Sequence, residues 1–121
     1  MKLLFPILIS VLAATALAQP PSPKTTEVMV ILTAKPGVTR PQIMKVMPAE
    51  VRATVQLYLD GKIRQWYSRG DGKGVIFLVD AKTLDEARAI MAPLPLSKEN
   101  LMDYEYIPVG PLMPLAALIS Q

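Results

Sequence analysis

Two short stretches of this chain are apolar at every position, residues 28–32 and residues 75–79. Both are rich in β-branched side chains, which is typical of strands. Because successive side chains of a strand point to opposite faces of a sheet, an uninterrupted apolar run predicts a sheet that is covered on both faces. The need for cover on two sides is the strongest constraint that the sequence places on the fold.

Residues 27–34 are predicted to be the first strand. The segment after this strand is predicted to be a helix that begins near Arg40. Thr39 supplies a hydroxyl to cap free amides, and Pro41 has a φ already suited to a first turn. Gly61 is the expected left-handed end of this helix. Pro48 lies inside it, so the helix either kinks there or divides into two segments. Spacings of three and four give the helix a single apolar stripe, made of Ile43, Met44, Met47, Val51, Val55 and Tyr58.

The second half of the chain completes the pattern. Residues 63–69 and 73–79 are predicted strands, joined by a hairpin at residues 70–72. Thr83 and Glu86 form a capping box that opens a second helix near Leu84, and Pro93 and Pro95 end it. A fourth strand covers residues 101–107. The order βαββαβ predicts an α+β, ferredoxin-like fold, in which two helices cover one face of a four-stranded antiparallel sheet.

The helix-free face of such a sheet needs other cover, because the strands stay apolar on both alternations. We expect a second copy of the chain to supply it, which makes the protein a homodimer or a higher oligomer with a cavity for a small organic ligand. The apolar tail at residues 110–121 is expected to reach across this dimer.

Residues 1–18 are predicted to be a secretory signal peptide. Lys2 precedes an apolar run, and the small residues Ala16 and Ala18 indicate cleavage between Ala18 and Gln19; an uncleaved anchor is the alternative. Residues 19–26 are expected to be a proline-rich flexible leader, and residues 27–109 are expected to form one domain. We therefore expect an exported protein, periplasmic or secreted, with no membrane contact after cleavage.

Several classes of function are disfavoured by composition. The sequence contains neither His nor Cys, so a metal site, a haem and a disulfide framework are not expected. The net charge of +3 comes from cations scattered along the chain, which is unlike a nucleic-acid-binding surface. We expect no cofactor and no nucleic-acid partner.

Several residues carry a resemblance to a known group of proteins: Gly61 followed by Arg64, Asp80, and the runs at 93–96 and 102–105. With them, residues 27–109 resemble the muconolactone isomerase-like families of the dimeric α/β-barrel superfamily. The resemblance implies an oligomer that binds a small oxygenated ring compound between sheet and helices and transfers a proton without a cofactor. The family's substrate is not carried over, because this chain has an export signal.

The candidate catalytic residues follow from what proton transfer at carbon needs, a base and a group that stabilises an enolate oxygen. Alternation places Asp103 and Glu105 on one face of the last strand, and Arg64 with Trp66 on one face of the second. A buried carboxylate would be the base, and Arg64 the oxyanion partner. The alternative is an ordinary cross-strand ion pair between Arg64 and Glu105.

The candidate substrate-binding residues are aromatic: Trp66, Tyr67 and Tyr104. The alternative is that they only pack in the core or at a dimer interface. Glu50 on the first helix could reach the rim of a cavity, but as a lone carboxylate beside Arg52 it is expected to be solvated. Two functions stay open, a cofactor-free isomerase that acts on a small organic acid or lactone, and a non-catalytic dimeric module that binds a small ligand or serves as a scaffold.

Overall fold

The structure is a computed structural model that describes residues 23–112. The predicted signal peptide, most of the leader and the tail beyond residue 112 lie outside the described residues. The elements in chain order are β1 (Glu27–Ala34), α1 (Arg40–Leu59), β2 (Ile63–Ser68), β3 (Gly74–Val79), α2 (Leu84–Met91), α3 (Pro95–Lys98) and β4 (Met102–Val109).

The four strands form one antiparallel sheet in the order β2-β3-β1-β4. Together with the element order, this confirms the predicted α+β, ferredoxin-like fold. The additional element is α3, a single turn that begins at Pro95, the residue expected only to end the second helix. Leu94 and Leu96 anchor this turn, since both side chains are buried.

Both ends of α1 are fixed by local chemistry. Thr39 and Gln42 form a capping box, in which each side chain accepts a hydrogen bond from the backbone N–H of the other. At the other end Gly61 takes a φ of 75°, and the N–H groups of Gly61 and Lys62 donate to the carbonyls of Tyr58 and Leu57. Between these ends α1 passes through Pro48 as one helix.

The start of α2 differs in one detail from the predicted capping box. The hydroxyl of Thr83 accepts the N–H of Glu86, as expected. The Glu86 carboxylate accepts the N–H of Lys82 rather than that of Thr83. The helix then buries Ala87 and Met91 completely.

The core lies between the helices and one face of the sheet. Val28, Val30 and Leu32 of β1 are fully buried there, and the register places Val79 and Phe77 beside them. The opposite face, which we call the helix-free face, carries Met29, Ile31, Ile76 and Leu78 in its two central strands, and these side chains are partly exposed. No helix of the described residues combines the length and the hydrophobicity that crossing a bilayer requires.

The predicted apolar stripe of α1 does not face the core as a whole. Ile43 and Met47 pack against it, but Met44, Val51, Val55 and Tyr58 are exposed. The buried positions of α1 are instead the polar residues Glu50 and Thr54. Hydrophobic spacing alone gave the wrong rotation of this helix, because polar side chains with buried hydrogen-bond partners can replace apolar ones on the core side.

Gly74, at the start of β3, is required by close packing of the sheet. A Cβ atom at this position would lie 1.9 Å from the carbonyl oxygen of Leu32. The missing side chain also lets Arg69 reach across β3 to the hydroxyl of Thr33 on β1.

We predict that Gly74→Ala lowers the free energy of unfolding by about 2 kcal/mol, because the backbone must shift to relieve the contact. Gly70→Ala is the matched control, since a Cβ there meets no atom within 4 Å. Urea denaturation measures both. Equal stability of the two variants would contradict the packing argument.

Candidate functional site

A cavity of ≈ 330 Å³ lies between α1 and the β2–β3 side of the sheet. We call it the inner cavity. Its volume is in the range of small-molecule sites. Most of its surface is apolar, and its lining consists of Met47, Glu50, Val51, Thr54, Val55, Trp66, Tyr67, Ser68, Val75, Phe77 and Leu96.

Glu50 is the one ionisable carboxyl group in this lining, and only 4% of the residue is exposed. Its Oε2 accepts the backbone N–H of Leu96 at 3.0 Å, in the first turn of α3. Its own carbonyl accepts the hydroxyl of Thr54 at 2.8 Å, so Thr54 is also satisfied. Glu50 thus joins α1 to α3. It also caps the N-terminus of α3, where the N-cap residue Leu94 makes no side-chain hydrogen bond.

The second carboxylate oxygen of Glu50 is open to the inner cavity. Oε1 takes part in no hydrogen bond among the described residues. Among residues 23–112, no side-chain oxygen is both fully buried and without a hydrogen-bond partner. Oε1 therefore has access to the cavity, where a ligand or water can meet it.

Burial raises the pKa of Glu50 above its ordinary value, because the surrounding apolar groups replace water and disfavour the charged form. The hydrogen bond from the Leu96 N–H acts in the opposite direction and is the smaller effect. Raising the pKa of a carboxyl group makes its carboxylate a stronger base, which is the direction that general acid–base catalysis by a carboxyl group needs.

A second cavity of ≈ 660 Å³ adjoins the inner one near the start of α1. We call it the outer cavity. Met47, Ser68, Val75 and Leu96 line both, so the two form one continuous groove. Arg40 and Lys73 contribute cations to the outer cavity, and its lining contains no acidic residue. The groove therefore has an inner end that contains the Glu50 carboxyl group and a cationic outer end.

The structure does not bring the three predicted catalytic residues together. Arg64 is on β2, whereas Asp103 and Glu105 are on β4, and these strands are the two edges of the sheet. Three strand spacings separate the edges, about 14 Å. The ion pair predicted between Arg64 and Glu105 is accordingly wrong. Arg64 instead pairs with Asp80 at 2.7 Å and lies 3.7 Å from Glu27.

A bulge in β2 explains where the alternation argument failed. The register shifts between Ile63 and Gln65, so Arg64 is the extra residue. Ile63 and Trp66 therefore both lie on the core face, opposite Val79 and Phe77. The expectation that Arg64 and Trp66 share a face was wrong for this reason.

Two of the three aromatic candidates do reach the inner cavity. Trp66 lines it and stacks on Tyr58, with ring centroids 4.3 Å apart. Tyr67 borders the cavity at the β2 edge, although its register position is on the helix-free face and its hydroxyl donates to Gln65. Both residues stay candidates for ligand contact.

Tyr104 occupies a different position. It lies on the core side of β4, outside the lining of both cavities, and its hydroxyl is 2.6 Å from Ser97 Oγ. Ser97 also lies 2.7 Å from the carbonyl of Met91. Since a hydroxyl has one proton, Ser97 donates to Met91 and Tyr104 donates to Ser97. Burial raises the pKa of Tyr104 to about 12, so its phenol stays protonated.

Glu50 was expected to be solvated, and the structure shows that this was wrong. The sequence did contain a signal. Ile43, Met47 and Leu57 fall on one side of α1, and Glu50 lies at the centre of that side. A carboxylate in the middle of an otherwise apolar helix face is a candidate functional residue once that face is known to be the buried one.

The comparisons with known proteins do not assign this chain to a family. No protein-family model matches it, and neither does any curated protein. Within residues 23–112, His, Cys, Asp and Glu side chains form no group that could hold a metal ion. The resemblance to the muconolactone isomerase-like families stays a prediction.

We predict that the stability of the protein falls as the pH rises past the ordinary carboxyl range. The folded state holds the Glu50 proton more tightly than the unfolded state, in which the pKa of a glutamate carboxyl group is near its ordinary value of 4.5. The contribution of Glu50 is therefore fully present below that value and is lost as the pH rises through the folded pKa. Unfolding free energies measured from pH 4 to pH 8 test this.

Glu50→Gln is the control for this measurement, because it keeps an acceptor for the Leu96 N–H and removes the titration. The difference in stability between wild type and variant should change with pH in that direction. Asp71, whose pKa is lowered, acts oppositely in both proteins and cancels in the difference. A pH-independent difference would rule out a raised pKa at Glu50.

Proposed function

We propose that this protein is a cofactor-free isomerase of small organic acids or lactones, with Glu50 as the group that moves the proton. The observation that carries the proposal is the buried Glu50 carboxyl, which has one oxygen held by Leu96 and the other open to an apolar cavity. This geometry fixes the base in place and leaves an electron pair for the substrate.

The groove suits a ligand with an apolar body and an anionic end. The apolar walls of the inner cavity accept a lactone ring or a short unsaturated chain. A ligand carboxylate would lie in the outer cavity, close to Arg40 and Lys73. Ser68 lines both cavities and offers a hydroxyl at the junction between them.

The reaction requires only the groups in the groove. Glu50 Oε1 removes a proton from the carbon next to the substrate carbonyl, and the electron pair moves onto the carbonyl oxygen. The Ser68 hydroxyl donates a hydrogen bond to the enolate oxygen that results. The Glu50 carboxylic acid then returns its proton to the far carbon of the conjugated enolate, so that the double bond shifts and the carboxylate is restored.

A non-catalytic ligand-binding module is the second candidate. It is favoured by the structural use of Glu50, whose Oε2 caps α3 and would be needed even in a protein without chemistry. In that case the Glu50 carboxylic acid would only donate a hydrogen bond to the bound molecule.

Deuterium exchange separates the two candidates. Butenolides and β,γ-unsaturated acids are incubated with the protein in D₂O, and deuterium at carbon is followed by NMR. We expect exchange with the wild type, with an acid limb set by the raised Glu50 pKa, and a rate lower by about 10²–10⁴-fold in Glu50→Gln. Binding, measured by calorimetry, should survive in this variant.

The outcomes have distinct meanings. Binding without exchange in the wild type would replace the isomerase by the binding module. Exchange that Glu50→Gln leaves unchanged would remove Glu50 from the reaction. Mass spectrometry of small molecules that copurify with the protein supplies further test compounds.

We also propose that the protein is a homodimer whose interface is the helix-free face. Met29, Ile31, Ile76 and Leu78 form an apolar centre on this face, and Ile107 of the edge strand β4 extends it. A second copy would cover this centre with an identical surface.

Ile107→Asp should dissociate the dimer, because it places a charge in the apolar interface without changing the core. Leu59→Asp, an exposed substitution on α1, is the matched control and should leave the dimer intact. Sedimentation equilibrium measures both. A monomeric wild type would contradict the proposed interface.

A further inference from the structure

The outward side of α1 is unusually apolar for a surface helix. Its exposed residues form one strip, which we call the α1 strip: Met44, Val51, Val55, Tyr58 and Leu59. Leu59 is 70% exposed and Met44 is 53% exposed. At 100° per residue the five side chains span about 100° of the helix circumference. A continuous apolar surface of this kind indicates a partner.

The exposed charges within α1 are all positive, and the exposed Asp60 follows directly at its C-terminal end. Within α1 the cations are Arg40, Lys45 and Arg52, and the one acidic residue is Glu50, which is buried on the other side of the helix. By the same angular count, Lys45 and Arg52 lie along the solvent-facing border of the strip. On the other border, Tyr58 stacks on Trp66 of β2.

We propose that the α1 strip docks on the surface of a bilayer that contains anionic lipids, with α1 lying in the plane of the interface. An apolar strip bordered by cations and by aromatic rings is the pattern of helices that lie on membranes. The apolar side chains would enter the acyl boundary, and Lys45 and Arg52 would meet the lipid phosphates.

Charge argues against a second copy at this surface. A symmetric contact between two α1 strips would place the cations of one copy near those of the other, with no exposed carboxylate in α1 to offset them. Shape favours the bilayer over a folded protein partner, because a convex helix needs a complementary groove in a protein but none in a deformable lipid layer.

The inference differs from the sequence-based expectation of no membrane contact. That expectation rested on the predicted cleavage of the signal peptide. The rotation of α1 turns the apolar strip outward beside the cations of this helix, and this rotation cannot be read from the linear pattern. The proposed contact is peripheral, and it adjoins the groove, because Val51 and Val55 also line the inner cavity and Met44 lines the outer one.

Co-sedimentation with vesicles tests the proposal. One set contains phosphatidylcholine alone, and the other contains equal parts of phosphatidylcholine and phosphatidylglycerol. We expect the protein to bind the mixed vesicles and to lose binding as salt is added. The double variant Val51→Ser with Leu59→Ser should bind about tenfold more weakly, since both side chains lose apolar area. Arg52→Glu should also weaken binding.

Matched controls separate this surface from others. Ala89→Ser changes an exposed apolar position on α2, and Lys82→Glu reverses an exposed cation outside α1. Both should bind as the wild type does. Circular dichroism verifies that every variant is folded.

Three results would overturn the proposal. The first is no binding of the wild type to mixed vesicles. The second is equal binding to neutral and anionic vesicles. The third is a self-association that the Val51→Ser, Leu59→Ser variant abolishes without any vesicle binding, which would assign the strip to a second copy. Loss of deuterium exchange in Glu50→Gln with intact vesicle binding would show that the membrane contact does not require the proposed reaction.

Discussion

The hydrogen bond from the Leu96 N–H to Glu50 sets the position of α1 on the sheet. A carboxyl group is costly to bury unless its oxygens find donors, and the first turn of α3 offers a donor that no side chain of its own segment caps. With Glu50 and Thr54 held on the core side, α1 cannot also bury Val51 and Val55. The cavity beside Glu50 and the apolar surface outside it are both consequences of this one rotation.

In the proposed isomerase, the same carboxyl group has both an architectural role and a chemical role. Oε2 belongs to the scaffold, and Oε1 belongs to the cavity. Holding a base through one of its oxygens is an effective way to position the other, because the side chain loses its rotational freedom during folding and not during the reaction. The cations at the outer end of the groove then orient an anionic ligand without lying close enough to the base to be its ion-pair partner among the described residues.

Two apolar surfaces remain after the core is formed, and they lie on opposite layers of the domain. The helix-free face has charged residues toward its β4 edge, and we propose a second sheet as its cover. The α1 strip has the cations of α1 beside it, and we propose an anionic lipid layer there. Because the two surfaces lie on separate layers, the two proposed contacts do not exclude each other.

The sequence by itself determined the four strands, the two longer helices and their order, because the signals are local: Thr39 and Pro41 at one helix start, Gly61 at its end, and the hairpin glycines between β2 and β3. It also identified the strands whose side chains are apolar on both faces of the sheet. The site depended on contacts between distant segments, such as Glu50 with Leu96, and on a bulge that displaced Arg64 from the face of Trp66. Spacing along a chain gives the period of a helix or strand, but only packing against the rest of the molecule gives its rotation, and rotation decides which carboxylate meets the cavity.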